Sequence, residues 1–303
     1  MGASRECNGL LNGAAILAMP TAHCLQYLDA MAPRVVLLTK PYPLATALER
    51  RIAATGCLAG VVHEQPRSGW RAATREAQRL IKRLGVLRTA DVLAYQLYQR
   101  VARARELNRR MAALLAAQPA PPARDVPRAV FPTLNSPEAH AAIRALAPDL
   151  LIVHGTGILK PDTFGLAPLA VNLHCGVLPE YRGHDSTFWA LHRGDFDRVG
   201  ASLHVIDAGV DTGSLIAVAR VPCGPADGDL DVWMSAFDAG VDLAVELVET
   251  LRAGRPLKVQ RNVGPPGKHY GRKGLSDYLA FARRRRAAAA RRGSTPPTMS
   301  SAA

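Results

Sequence analysis

The feature of the sequence that most constrains the fold is a repeated alternation of short apolar runs with amphipathic segments. From residue 34 the order is RVVLLTK, then PLATALERRIAATG with apolar residues at the helical period, then CLAGVVHE. The same order recurs in AVFPTL, SPEAHAAIRALA and PDLLIVHG, where Ser136 is the predicted N-cap of a helix. This alternation predicts an α/β fold, a Rossmann-like and mostly parallel sheet with helices on both faces.

The turn after the first predicted strand carries the sequence KPYP at residues 40–43, where nucleotide-binding folds have G-x-G-x-x-G. Without those glycines the backbone does not form that type of phosphate cradle. The fold class is therefore predicted without a dinucleotide.

Two later stretches each combine an apolar strand with a glycine-containing turn: VNLHCGVLPEYRG at residues 171–183 and ASLHVIDAGVDTG at residues 201–213. Asn172 and His174 are two positions apart, so an extended strand places them on the same side. Asp211 lies in the glycine-flanked loop of the second stretch. Together these side chains form a set that can handle a proton. The alternative is that Asn172 caps a turn, His174 is a buried core histidine and Asp211 belongs to an Asx-turn.

The order and spacing of N-x-H, LPEYRG and HVIDAGVDTG resemble the superfamily of formyltransferases that use 10-formyltetrahydrofolate. The resemblance covers residues 34–221 and is strongest over residues 149–221. Members of that superfamily move a formyl group from the folate to an amine. The resemblance therefore implies a formyltransferase with 10-formyltetrahydrofolate as its formyl donor.

The chemistry of formyl transfer calls for these residue types. When an amine attacks the formyl carbon, the carbonyl oxygen becomes an oxyanion that needs hydrogen-bond donors already in place, here Asn172 and a protonated His174. The attacking nitrogen must lose a proton, and Asp211 is the predicted base. The charge of Asp211 is also expected to favour the protonated form of His174.

The resemblance also implies a binding site for the donor. It places residues 155–168 in the loop that lines the pterin pocket, which assigns Ile158 and Leu159 to that pocket, although apolar loop residues can equally be cover for the core. The loop of residues 207–213 is expected to close the other side. The predicted cofactor-binding residues of this second loop are Asp207, Gly209 and Val210.

Two residues beside the site are candidates for substrate binding. The Arg182 guanidinium could bind a carboxylate or phosphate, and Tyr181 precedes it directly, although both could simply fix the turn. His204 is expected to support the loop of Asp211 without taking part in the chemistry.

The positive charge of the chain is concentrated in two segments. The formal net charge is +13, residues 64–112 hold 12 Lys or Arg against four acids, and residues 272–292 hold eight against Asp277. The catalytic body is therefore nearly neutral. Residues 70–84 and 90–115 are predicted to form two basic amphipathic helices, broken near Gly85. A solvated face is favoured over a patch that binds a membrane surface or nucleic acid.

The cysteines argue against a disulfide framework and against a metal site. Five cysteines are scattered without a C-x-x-C pair and without histidines at ligand spacing. A reducing, cytoplasmic location fits this usage. Cys175 follows His174 directly and is interpreted as a packing residue, because adjacent strand residues point to opposite faces.

The chain is divided into four parts by these patterns. Residues 1–33 are expected to be a poorly ordered extension, and residues 34–221 a catalytic domain with a helical insertion at residues 70–115. A helical and irregular extension at residues 222–275 precedes a basic low-complexity tail at residues 276–303. Disorder is expected from residue 283 onward, although four alanines between arginine clusters could extend a helix. No apolar run reaches the length of a membrane span.

The predicted function is formylation of a primary amine, with a nucleotide-linked amino sugar as the first candidate. The alternatives are a 10-formyltetrahydrofolate hydrolase, a methionyl-tRNA formyltransferase-like enzyme, and a catalytically idle scaffold that binds nucleic acid or anionic membrane through its basic segments. A small-molecule amine is preferred to nucleic acid as partner, because the chain lacks the strand pattern of the β-barrel domain expected in the tRNA enzymes. A homodimer is left open.

Overall fold

A seven-stranded sheet forms the centre of the protein. The computed structural model describes residues 32–65, 69–120, 125–262 and 268–293. The strands in chain order are β1 Val35–Thr39, β2 Leu58–Glu64, β3 Arg128–Phe131, β4 Leu150–His154, β5 Leu169–His174, β6 Arg182–Gly183, β7 Gly200–Val205, β8 Leu215–Arg220 and β9 His269–Tyr270. The sheet order is β3-β2-β1-β4-β5-β7-β8, and β6 pairs with β9 in a separate ribbon.

Helices cover the sheet and extend beyond it. They are α1 Pro43–Ala54, α2 Trp70–Leu84, α3 Val86–Ala102, α4 Ala104–Ala116, α5 Pro137–Ala145, α6 Pro161–Phe164, α7 Ser186–Arg193, α8 Asp229–Arg252 and α9 Leu275–Gly293. A short 3₁₀ turn spans Phe196–Arg198. No helix in the described ranges is long and apolar enough to cross a membrane.

Successive side chains of the central strands point to opposite faces of the sheet, so a hydrophobic core lies on each face. Pairing is parallel from β3 through β5 and antiparallel for β7 and β8. In β1, Val35 and Leu37 pack into a core with α1 and α8, whereas Val36 and Leu38 pack into a second core with Ile143 of α5. Both faces of a parallel sheet must be covered, which is why β1 and β4 are apolar and buried almost throughout. The predicted α/β class is confirmed.

The helical insertion contains three helices where two were predicted. The break at Gly85 is present, with φ of +79°, but α3 begins directly after it at Val86. A second break occurs at Arg103, whose buried guanidinium makes two hydrogen bonds to Asp229 at the start of α8, at 3.0 and 2.8 Å. Because that contact joins distant parts of the chain, helical periodicity alone could not reveal this break.

The carboxyl-terminal segment is more ordered than expected. The predicted disorder from residue 283 onward is wrong for residues 283–293, because α9 continues to Gly293 and the alanines extend the helix. Phe281 packs edge-on against Phe188 of α7 with ring centroids 5.5 Å apart, and Arg284 Nη2 donates to His192 O at 2.8 Å. Of the predicted amino-terminal extension, residues 1–31 lie outside the described residues, as do residues 294–303 of the predicted tail.

Candidate active site

The pairing of β5 with β7 places four polar side chains on one face of the sheet. Asn172 lies opposite His204, and His174 lies opposite Ser202. Directly opposed residues of an antiparallel pair share a face, and residues two apart on one strand do so as well. The predicted juxtaposition of Asn172 and His174 therefore holds, and His204 joins them.

Asp211 reaches this face because the loop after β7 folds back over it. Asp207 Oδ1 accepts hydrogen bonds from Gly209 N at 3.0 Å and Thr212 Oγ1 at 2.7 Å, which tightens the loop. The backbone at Gly213 passes so close to Val205 O that a Cβ there would lie 1.8 Å from it. Asp211 itself adopts φ of +53°, in the left-handed region that few residues other than glycine occupy.

The Asp211 carboxylate is the centre of the constellation. Its Oδ2 accepts from Gly183 N at 2.9 Å and lies 3.6 Å from His174 Nδ1. Its Oδ1 lies 3.4 Å from Asn172 Nδ2 and 3.5 Å from His204 Nε2. Burial raises the pKa of Asp211, but the neighbouring His204 and His174 rings and the Gly183 N–H together bring it far below its ordinary value. Asp211 is therefore ionised throughout the neutral pH range.

His174 is neutral near pH 7 in this arrangement. Burial lowers the pKa of the ring and outweighs the opposing effects of Asp211 and of the Tyr181 carbonyl. The protonated His174 expected from the sequence is therefore wrong for the protein without substrate. His174 Nε2 lies 2.8 Å from Tyr181 O, and since a carbonyl only accepts, Nε2 carries the hydrogen. The lone pair is then on Nδ1, which faces the Asp211 carboxylate.

Gly176 makes the contact between His174 and Tyr181 possible. A Cβ at this position would lie 2.6 Å from His174 Nε2 and 2.7 Å from Tyr181 O, closer than real Cβ atoms approach other atoms. The turn therefore requires glycine here. Sequence reasoning missed this role, although a glycine two residues after a functional histidine was a signal that the backbone passes close by.

Two further residues hold the Asp211 loop. His204 Nε2 lies 3.1 Å from Asn172 Nδ2 while its Nδ1 lies 2.9 Å from Val205 O, so the ring bridges Asn172 and the start of the loop. Asn262 Nδ2 donates to Asp211 O at 3.3 Å, and its own Oδ1 is buried with no hydrogen-bond partner among the described residues. Asn262 was missed because it lies in an irregular segment with no motif around it.

Tyr181 and Arg182 differ in their placement. The Tyr181 side chain is buried, stacks on Tyr270 with ring centroids 5.2 Å apart, and donates its hydroxyl to Asp195. Only its carbonyl oxygen faces the constellation, which favours the alternative that Tyr181 fixes the turn. Arg182 is half-buried on β6, opposite His269 of β9.

The residues predicted to hold the donor divide into exposed and buried ones. Ile158 is 75% exposed and Val210 is 41% exposed, whereas Leu159 is only 9% exposed and packs into the core beside α5. Asn135 holds the Ile158 loop by donating to Ile158 O at 2.9 Å and accepting from Lys160 N at 2.8 Å. Asp207 and Gly209 are exposed on the loop that follows β7.

The remaining candidate groups in the described part of the chain are possible metal ligands and the Cys175 thiol. No group of three or more His, Cys, Asp or Glu side chains is placed there to hold a metal ion. Burial raises the pKa of the Cys175 thiol to about 12, and its side chain packs against the core that contains β1. Cys175 is thus a thiol at neutral pH, and the structure places it in packing.

Comparison with known sequences gives one family match and a set of curated relatives. Residues 92–246, just over half of the chain, match the family model described as formyl transferase. The methionyl-tRNA formyltransferase of Koribacter versatilis is 35% identical over 130 residues, which cover 42% of this chain and 41% of that protein. That of Xanthomonas campestris is 36% identical over 140 residues, 45% of each chain. The match spans less than half the length of these relatives.

Comparison with solved structures shows the same fold at low sequence identity. A sugar N-formyltransferase from Shewanella sp FDAARGOS_354 superposes with a TM-score of 0.50 at 14% identity, over 82% of this chain and 80% of that one. Glycinamide ribonucleotide transformylase 1 from Symbiobacterium toebii superposes with a TM-score of 0.50 at 17% identity, over 77% and 95%. At this identity the superpositions carry information on the fold alone.

Proposed function

Because this chain belongs to the formyl transferase family, we propose that it transfers the formyl group of 10-formyltetrahydrofolate to the nitrogen of a primary amine. The observation that carries the proposal is the cluster of half-buried Asn172, buried His174 and a half-buried, ionised Asp211 on one face of the sheet. An amide donor, a neutral imidazole and a carboxylate in contact supply both functions that this reaction needs, stabilisation of an oxyanion and removal of a proton.

The residues around the cluster fit the formyl donor. When bound, 10-formyltetrahydrofolate supplies a formyl carbonyl that is open to attack by an amine. A flat pterin needs apolar walls with backbone polar groups beside them. The exposed side chains of Ile158 and Val210 provide the apolar surface, and the loops that carry them provide the backbone groups. Leu159 contributes through its backbone, because its side chain belongs to the core.

Asn172 is the proposed oxyanion donor. Its Nδ2 carries two hydrogens, of which one faces His204 Nε2 at 3.1 Å. The other faces Asp211 Oδ1 at 3.4 Å, which is long for a hydrogen bond and leaves that hydrogen available for a better acceptor. A developing oxyanion is such an acceptor, and the donor is already in place.

His174 and Asp211 share the proposed handling of the proton. An Asp211 with a strongly lowered pKa is a weak base on its own, whereas neutral His174 has an accepting lone pair on Nδ1. Proton transfer from the attacking nitrogen to Nδ1 creates an imidazolium beside the carboxylate, 3.6 Å from Oδ2. The negative charge of Asp211 stabilises that imidazolium. Asp211, which the sequence predicts to be the base, is thus proposed to support His174, which takes the proton.

A nucleotide-linked amino sugar is the proposed acceptor. The Arg182 guanidinium, on the strand that follows the His174 turn, has the chemistry to bind a phosphate of such a substrate. The methionyl group of methionyl-tRNA is the second candidate, favoured by the 35% identity to methionyl-tRNA formyltransferase over residues that cover 42% of this chain. Both acceptors present a primary amine.

A panel of amines tests the assignment. The protein is incubated with 10-formyltetrahydrofolate, and release of tetrahydrofolate is followed with nucleotide-linked amino sugars, methionyl-tRNA, glycinamide ribonucleotide or no amine. We expect release that depends on an amino sugar and yields the N-formyl product. Release with methionyl-tRNA alone would establish the second candidate, and equal release without any amine would show a hydrolase.

A further inference from the structure

The helical insertion exposes an unusual amount of apolar side chain. Of the thirteen large apolar side chains exposed in the described residues, eight lie on α2 and α3. On α3, Val86, Ala90, Leu93, Leu97 and Val101 follow each other at spacings of three or four, so they form one stripe along the helix. Leu97 is 63% exposed and Val101 is 76% exposed.

The helix α3 has two apolar faces. One packs against the rest of the protein, and the exposed stripe is the other. Val92 and Tyr95 lie on the opposite side of the helix and are buried. Tyr95 contacts Tyr278 of α9 with ring centroids 5.4 Å apart. A helix that is apolar on two faces needs two partners, and among the described residues only one face of α3 has its partner.

The charged residues that are exposed on the helices of the insertion are all cations, whereas its acids are half-buried. Eight Lys or Arg side chains are exposed on α2, α3 and α4: Arg71, Arg75, Arg79, Lys82, Arg83, Arg100, Arg105 and Arg109. We call these cations, together with the α3 stripe, Leu87 and Trp70, the insertion surface. Leu87 is 88% exposed and Trp70 is 73% exposed.

The three acids of the same helices are all occupied by partners. Asp91 accepts from Ser276 N at 2.8 Å and pairs with Arg88, Glu106 pairs with Arg110 at 3.1 Å, and Glu76 pairs with Arg272 at 3.4 Å. Only Glu76 also reaches one of the exposed cations, Arg79, at 4.0 Å, so seven of the eight have no acid of these helices as a partner. The helices of the insertion therefore expose apolar side chains together with an excess of cations.

We propose that the insertion surface docks the enzyme on an anionic lipid bilayer. Helices that combine cations with exposed aliphatic and tryptophan side chains lie in the plane of the interface, where the apolar groups enter the acyl boundary and the cations meet the lipid head groups. A bilayer satisfies both properties of the surface together. A second copy of the chain would place its own cations against these, and nucleic acid would leave the aliphatic stripe in water.

Vesicle flotation of the full chain tests the proposal. Vesicles of phosphatidylcholine alone are compared with vesicles that contain roughly one third phosphatidylglycerol. We expect the protein to float with the anionic vesicles, to stay in solution with the neutral ones, and to be released as salt is raised. Failure to bind anionic vesicles at low salt would overturn the proposal.

Two sets of variants assign the binding to the insertion surface. Since each cation near an anionic surface strengthens binding several-fold, removing three of them is expected to weaken it about 100-fold. That variant combines Arg75→Gln, Lys82→Gln and Arg83→Gln. An apolar variant, with Leu87→Gln, Leu97→Gln and Val101→Gln, is expected to weaken binding by at least about tenfold. Since the substituted side chains are exposed, the melting temperature should stay close to that of the parent.

Matched controls carry the same chemical changes elsewhere. The charge control replaces the exposed Arg144, Arg255 and Lys258 by Gln, and the apolar control replaces the exposed Val130 and Val259 by Gln. We expect both to bind anionic vesicles as the parent does. Equal losses in the controls would refute the assignment to this surface. A dimer that the apolar variant converts to a monomer, with no vesicle binding by the parent, would show instead that the stripe is a subunit interface.

Discussion

The residue that defines the site is held in a conformation that its own backbone disfavours. Asp211 has φ of +53°, and its carboxylate is fixed by Gly183 N at 2.9 Å. Left-handed residues other than glycine persist where the surrounding structure determines them, and they concentrate at functional sites. The surrounding structure thus holds an ionised Asp211 carboxylate beside a neutral His174. Because the carboxylate is a weak base, His174 is the group that can take a proton.

The protonation state of His174 predicts the pH dependence of the reaction. The pKa of His174 is lowered below its ordinary value of 6.5, chiefly by burial. If neutral Nδ1 takes the amine proton, kcat/KM, once corrected for protonation of the free substrate amine, should be constant from pH 8 down to below about pH 6.5 and fall only at lower pH. The Asp211→Asn variant loses a group that raises the pKa of His174, so its acid limb should move to still lower pH.

A pH profile of kcat/KM, which reports the groups of the free enzyme, checks this prediction. The opposite assignment, with a protonated His174 as oxyanion donor, requires that activity decreases as pH rises through the pKa of the ring. A profile with that alkaline limb would contradict our assignment of the base.

Ile158 and Leu159 are neighbours in the chain but are expected to act differently. Ile158 is exposed on the loop after β4, the strand that pairs with β5, and it is proposed to line the pocket. Ile158→Ala should therefore weaken folate binding by about tenfold and leave the melting temperature unchanged. Leu159 belongs to the core, so Leu159→Ala should lower the free energy of unfolding by about 2 kcal/mol or more. Folate affinity and thermal melting of both variants separate the two roles. An unchanged folate affinity of Ile158→Ala would show that the pocket lies elsewhere.

At the scale of elements, a buried ion pair joins the helical insertion to the rest of the molecule. Arg103, between α3 and α4, makes two hydrogen bonds to Asp229 at the start of α8, and Lys273 Nζ lies 3.6 Å from the same carboxylate. Arg103 also lies over the ring of Tyr278 in α9, 4.8 Å from its centroid. Three segments that are far apart in sequence, at residues 103, 229 and 273–278, therefore meet at this ion pair.

Asp229→Asn should therefore destabilise the protein strongly. The substitution leaves two cations without their buried partner, which typically costs about 3 kcal/mol. The matched control is Asp231→Asn, two residues along the same helix, whose partner Arg110 and own side chain are partly exposed. That control should cost less than about 1 kcal/mol. Chemical denaturation of both variants measures the difference, and similar losses would mean that the buried pair does not organise these helices.

The elements that the sequence predicts correctly are those with local causes. Ser136 accepts from Ala139 N at 3.2 Å and begins α5 as predicted, because an N-cap needs only its own first turn. The break at Arg103 and the order of α9 depend on Asp229, Tyr95 and Phe188, which lie far away in the sequence. Hydrophobic periodicity contains no information about such partners.

The same distinction applies to the site. The alternation of β5 predicts that Asn172 and His174 share a face, and the family resemblance brings in Asp211. The protonation state of His174 could not be predicted, because it depends on how deeply the ring is buried and on which nitrogen meets the Tyr181 carbonyl. Gly176 matters because the backbone there passes close to His174 and Tyr181. Asn262 contacts Asp211, which lies 51 residues earlier in the chain.

At the scale of the whole molecule, chemistry and charge are separated. The candidate active site lies on the sheet, at β5 and the loop after β7, whereas the exposed cations of the insertion lie on helices outside the sheet. This separation allows the insertion surface to be altered without touching the site. It also means that the central claim, catalysis by Asn172, His174 and Asp211, can be tested on its own.

The most direct test measures turnover, folate affinity and thermal melting for Asn172→Ala, His174→Ala and Asp211→Asn. The histidine control is His63→Ala on β2, three strands away from β5 in the sheet. We expect each of the three to lower kcat by about 10² or more, while the protein stays folded and its folate affinity changes little. The triple variant should lose far less than the product of the single losses, because the three residues act as a unit. The control should keep its turnover. A folded, folate-binding His174→Ala protein with near-normal turnover would contradict the account.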